Sequence, residues 1–162
     1  MGNGINNGMD SAVKFGAGRY RQGRGVLEHC GQEIRRFGKK AYIVSGPRAF
    51  DAVKDRLLPG LTEAGVEFVA EIYDGVCSYE AAEALGKKCL DAGCDEVVGI
   101  GGGVIMDLSK AVAGKAGVGV INIPTSIATC AAFTAMSVMY TPQGAMKDNW
   151  RYEYETDGVY VD

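Results

Sequence analysis

Gly101-Gly102-Gly103-Val104-Ile105-Met106-Asp107-Leu108-Ser109-Lys110 is the stretch on which the fold turns. It follows an apolar run, Val97-Val98-Gly99-Ile100, and opens into an apolar-periodic segment that continues to Ala113. A strand, then glycines, then a helix is how an open α/β sheet turns backbone N–H groups towards a phosphate. Glycine puts no side chain between backbone and ligand, and it tolerates positive φ. Asp107 and Lys110 follow one turn further on, at helical spacing. Two readings stay open here: a nucleotide-binding turn, or a tight βα turn followed by an ion pair on a helix surface.

Outward from that stretch, apolar runs alternate with helical periods from Val26 onward. The pattern predicts a helix over Val26–Phe37 stopped by Gly38, and a short buried strand over Ala41–Gly46. Pro47 suits a first helical turn, and the helix it opens runs towards Gly65 with a kink or break near Leu58, ahead of Pro59. A strand over Val66–Tyr73, a helix over Ser78–Ala92 ended by Gly93, and a strand over Asp95–Gly99 lead into the glycines. Helix Val104–Ala113 and strand Gly119–Pro124 follow. This βαβαβαβ order with short joins predicts a parallel sheet covered by helices on both faces. Beyond Pro124 the segment to Thr134 is rich in small and hydroxylated residues without clean periodicity. Strands are expected over Ser137–Thr141, Trp150–Glu155 and Gly158–Asp162, with a turn at Pro142–Gly144. A C-terminal antiparallel hairpin is expected beside the open sheet. Residues 1–15, polar and glycine-rich, read as a flexible leader, and residues 16–162 as one domain.

A net charge of −3 offers no attraction to a nucleic-acid backbone. There is no run of eighteen apolar residues, so no membrane span is expected, and the start lacks the apolar core of a secretory signal. Five scattered cysteines and the single His29 give no metal-ligand spacing. Reduced thiols in a cytoplasmic protein are the expectation.

Three motifs in order carry a resemblance: Gly101-Gly-Gly-x-x-x-Asp107-x-x-Lys110-Ala, Ile123-Pro-Thr125, and Thr129-Cys-Ala-Ala-x-Thr134-x-x-Ser137-Val-x-Tyr140. Together the chain resembles the nucleotide-binding half of the iron-containing (group III) alcohol dehydrogenases, in their glycerol-dehydrogenase-like branch. That implies a Rossmann-like fold of the dehydroquinate-synthase type, and NAD or NADP as cofactor. By position, Gly102 and Gly103 would lie against the cofactor pyrophosphate with Asp107 nearby. Thr125 would meet the cofactor at the end of its strand, and Thr134, Met136 and Tyr140 would flank the nicotinamide half.

Four departures from the family pattern shape the expectations. Val104 stands where close glycerol dehydrogenases carry a lysine. Ser45-Gly46-Pro47-Arg48 replaces a segment with an aspartate for the adenosine ribose, and Arg48 could pair with a 2′-phosphate, which points towards NADP. Cys130 replaces an aspartate that faces polyol hydroxyls, leaving a small polyol or a 2-hydroxy acid as substrate. Finally, the helical domain that binds Zn or Fe in the family is expected to be missing from this chain. These 162 residues are therefore expected to be inactive alone, and to self-associate or to associate with such a C-terminal half. The alternatives are a non-catalytic nucleotide-binding or interaction module, or a sheet that takes a phosphorylated sugar.

Overall fold

The computed structural model describes residues 16–162, and the leader expected over residues 1–15 lies outside the described residues. The elements run β1 (Ala17–Gln22), α1 (Val26–Ile34), β2 (Lys40–Ser45), α2 (Pro47–Glu63), β3 (Glu67–Ile72), α3 (Tyr79–Asp91), β4 (Glu96–Gly101), α4 (Gly103–Ala116) and β5 (Gly119–Pro124). They continue with β6 (Met136–Tyr140), β7 (Met146–Arg151) and β8 (Thr156–Val161). Six strands form one parallel sheet in the order β1-β8-β5-β4-β2-β3, and β6 and β7 form a separate antiparallel pair.

The central strands are apolar on both faces because both faces are covered. Ile43, Val98, Ile100, Ile121 and Ile123 pack against Leu27, Ile34, Leu57 and Leu61 of α1 and α2. Tyr42, Val44, Val97 and Val120 point the other way, onto Leu85 and Cys89 of α3 and Leu108 and Val112 of α4. From β2 the chain steps to β3 on one side and then crosses back to β4 on the other. The strand order therefore reverses between β2 and β4, which opens a crevice at their carboxyl ends.

Three expectations need correction. α2 runs unbroken through Pro59. Burial of Val53, Leu57 and Leu61 and a backbone-close packing on α1 hold it, against the roughly 3 kcal/mol of an interior proline. A Cβ at Gly60 would come within 2.8 Å of the Glu28 carbonyl oxygen, so only glycine permits that approach. α1 ends at Ile34, because the Arg36 and Phe37 N–H groups reach back only three residues, to Glu33 and Ile34, and tighten the last turn. The strand expected over Trp150–Glu155 lies instead at Met146–Arg151: the Thr141 N–H donates to the Ala145 carbonyl at 2.8 Å and starts the pairing at once. The last strand, β8, belongs to the parallel sheet, between β1 and β5.

The β6–β7 hairpin lies over α3 and α4. Its Trp150 stacks near Tyr79 of α3, with ring centroids 5.6 Å apart. On α4, a Cβ at Gly114 would come within 3.3 Å of the Trp150 ring. Among the described residues no helix is long and apolar enough to cross a membrane.

Candidate nucleotide-binding cleft

The crevice at the β2/β4 switch is a cleft of about 530 Å³. Gly46 and Arg48 line it from the β2–α2 join, Tyr73, Asp74 and Gly75 from the end of β3, Gly101, Gly102 and Val104 from the β4–α4 join, and Thr125 and Ser126 from the end of β5. The glycine turn is thus where the sequence places it, yet none of Gly101, Gly102 and Gly103 has positive φ. They are needed for room. A Cβ at Gly101 would press on Ile105 at 2.9 Å, and one at Gly103 would lie 3.4 Å from the Thr129 hydroxyl. At Gly102 a Cβ would meet nothing within 4 Å, because that face opens on the cleft.

Two helix N-termini reach this cleft, and neither is capped by a side chain. Gly102 is the N-cap of α4, which leaves the N–H groups of Gly103, Val104 and Ile105 without a partner in their own helix. Gly46 is the N-cap of α2, with Pro47 at the first helical position, followed by the N–H groups of Arg48 and Ala49. Each terminus carries about half a positive charge. The exposed Arg48 guanidinium adds a full one, and the exposed Asp74 carboxylate faces the same space. Val104 puts an exposed apolar side chain on the rim. An open face, oriented donors and one free-standing cation among the described groups fit the pyrophosphate and ribose of a dinucleotide.

The second set of expected site residues gathers around a buried ion pair one turn deeper. Asp107 and Lys110 meet at 2.9 Å with side chains 12% and 2% exposed, so the reading of a surface pair is overturned. α4 is sandwiched between the sheet and the hairpin, which buries even its polar face. Lys110 donates to the carbonyls of Ala131 at 2.7 Å, of Thr134 at 3.0 Å and of Met136. Asp107 accepts the Val138 N–H at 3.0 Å, and the Ser137 hydroxyl donates to the Asp107 carbonyl at 2.7 Å. Burial pulls the Lys110 ammonium below the usual lysine range, and Asp107 opposes that shift.

Asp107, Thr134, Met136 and Tyr140 therefore do not line the cleft around Gly102. Thr134 and Met136 hang from Lys110 by their carbonyls. Tyr140 is half-buried against the α3–α4 cluster, and its N–H donates to the Cys77 carbonyl at 2.7 Å. Cys130 is exposed on the β5–β6 loop, next to Thr129, which touches the first turn of α4. Tyr73, Asp74 and Ser126 carry no site reading in the sequence. The Tyr73-Asp74-Gly75 join after an apolar strand was the available signal for the first two. Among the described residues no group of three or more His, Cys, Asp or Glu could hold a metal ion. The Zn or Fe implied by the resemblance thus finds no ligand set in them.

Comparison with known proteins agrees with the fold. A family model described as "Iron-containing alcohol dehydrogenase" matches residues 17–156. Glycerol dehydrogenase of Thermotoga maritima is 36% identical over 146 residues, covering 90% of this chain and 39% of that protein. Glycolaldehyde reductase of Halobacterium salinarum is 32% identical over 143 residues, covering 88% and 39%. The crystal structure of a probable glycerol dehydrogenase from Sinorhizobium meliloti superposes with a TM-score of 0.83 at 28% identity, over 94% of this chain and 41% of that one. The chain spans about two fifths of the length of these relatives. With the matched region running from β1 to the start of β8, the chain belongs to the iron-containing alcohol dehydrogenase family.

Proposed function

We propose that residues 16–162 form the nucleotide-binding domain of an NAD(P)-dependent alcohol or polyol dehydrogenase. The observation that carries the reading is the meeting of two uncapped helix N-termini on one cleft at the topological switch point. The pyrophosphate would lie on the bare face of Gly102 and accept from the N–H groups of Gly103 and Val104. Thr125 would offer its hydroxyl at the end of β5. Arg48 would pair with a 2′-phosphate while Asp74 accepts ribose hydroxyls, so NADP is tolerated alongside NAD. The nicotinamide supplies hydride chemistry when bound. Cys130, Thr134, Met136 and Tyr140 would stand on its side, and Asp107 would act from beneath the loop.

The relatives named for glycerol and glycolaldehyde support a small hydroxylated substrate, a polyol or a 2-hydroxy acid. With no metal-ligand set among the described residues, no step through a metal is assigned to them, and these 162 residues are expected to bind nucleotide without turnover. A second copy or a helical C-terminal half would cover the exposed side chains of Val104 and Ile127. Sedimentation at high concentration tests that contact, with self-association as the expected result.

Fluorescence titration with NADH and NADPH tests the cofactor reading, with Trp150 as reporter. Saturable binding of both, without oxidation of glycerol or glycolate, is the expected outcome. Binding of neither overturns it.

A further inference from the structure

The segment from Thr125 to Ala135 joins β5 to β6 without joining either sheet. Its own hydrogen bonds are few: the Phe133 and Thr134 N–H groups donate to the Cys130 carbonyl, and the Ala131 N–H to the Thr129 hydroxyl. Asn122 adds a donation to the Ala132 carbonyl at 3.3 Å. Its ends are tied by the Thr125 N–H on the Gly101 carbonyl and the Tyr152 N–H on the Ala135 carbonyl, both at 2.9 Å, and between them one cation gathers the rest. Lys110, 1% exposed, gathers the carbonyls of Ala131, Thr134 and Met136, while its ion-pair partner Asp107 takes the N–H of Val138 on β6. Three carbonyls turned onto one ammonium are more than an ion pair with Asp107 requires. They fix the course of its second half, from Ala131 to the start of β6.

Lys110 lies two helical turns from Gly103, roughly 10 Å along the axis of α4. One helix therefore carries both the N-terminus that faces the cleft and the anchor of the neighbouring loop. We propose that Lys110 is a positioning residue for the nicotinamide half of the cofactor, its ammonium holding the Cys130–Met136 segment in register with the pyrophosphate-binding end of α4. The inference rests on the cofactor reading above and assigns Lys110 no contact with the reacting atoms.

The test separates the two halves of the ligand on the full 162-residue chain. ADP reaches only the phosphate end, whereas NADH reaches both. Calorimetric titration of Lys110→Met should leave the ADP Kd within about twofold of wild type and weaken NADH by tenfold or more, towards the ADP value. Lys110→Gln keeps two N–H donors without the charge and serves where Lys110→Met does not fold. It should show the same selective loss at about threefold or more. Loss of ADP and NADH in equal proportion, or unchanged NADH affinity in a folded variant, overturns the inference and leaves the cofactor reading standing. A wild-type chain that binds neither ADP nor NADH overturns both.

Discussion

The two ends of the central sheet leave opposite kinds of polar group without a protein partner. At the carboxyl ends of β2 and β4 the open groups are donors, the first-turn N–H groups of α2 and α4. At the amino ends of β4, β5 and β8 they are acceptors. Glu96 is 1% exposed with its Oε1 unpaired, and the half-exposed Asp157 receives the Val120 N–H at 2.9 Å. Gly119 lies between the two carboxyl groups, and a Cβ there would come within 2.9 Å of Glu96 Oε2. Donors on an exposed cleft cost little, because water serves them until an anion arrives. A buried acceptor has no such service and is relieved by taking a proton. Burial, then the charges of Asp157 and Asp95, push Glu96 up to about 9. One end of the sheet sets its open donors on a cleft, and the other buries a carboxylate beside a smaller cavity of about 340 Å³ lined by Gly119 and Asp157.

The largest effect that would break this contrast is expected at Gly102. Gly102→Asp adds a capping carboxylate where nothing lies within 4 Å and where φ is −91°, so the fold is kept and helix stability rises by a few tenths of a kcal/mol. NADH affinity should nevertheless fall by roughly a hundredfold, the equivalent of about 3 kcal/mol, because the carboxylate occupies and repels the phosphate position. A thermal melt beside a fluorescence titration reads both changes.

At the opposite end, Glu96→Gln should stabilise the protein at pH 8 and raise Tm by about 3 °C or more. The folded value of Glu96 lies above its ordinary 4.5, so the stability present below pH 4.5 is lost progressively as pH climbs towards 9. Calorimetry from pH 5 to 9 should find that slope reduced in the variant.

Arg48→Ala sharpens the account of the cleft. NADPH affinity should fall by about tenfold while NADH stays within about twofold, measured by parallel titrations. The smallest effect belongs to a helix that is capped. Ser78 accepts the Ala81 N–H at 3.1 Å at the start of α3, and Ser78→Ala should cost about 1 kcal/mol in denaturant unfolding without changing nucleotide affinity.

The sequence displayed the cleft better than the structure behind it. The strand–glycine–helix order at Ile100–Val104 and the Pro47 helix start are local signals, and both lie where they were expected. A surface position for Lys110 stays open in the sequence because nothing local reveals that a hairpin beginning 26 residues later folds over its helix. The unbroken α2 was hidden for the same reason: Pro59 is a local stop signal, while the close approach of Gly31 and Gly60 that outweighs it is tertiary. Asp74 was overlooked because its place on the cleft depends on β3 lying beside β2.

The central claim is that main-chain donors at the start of α4 hold a dinucleotide by its phosphates. A crystal structure of the chain grown with NADH tests it directly. Pyrophosphate oxygens within hydrogen-bonding distance of the Gly103 and Val104 N–H groups are the predicted result. A nucleotide bound elsewhere, with the Gly102 face left to solvent, would contradict it.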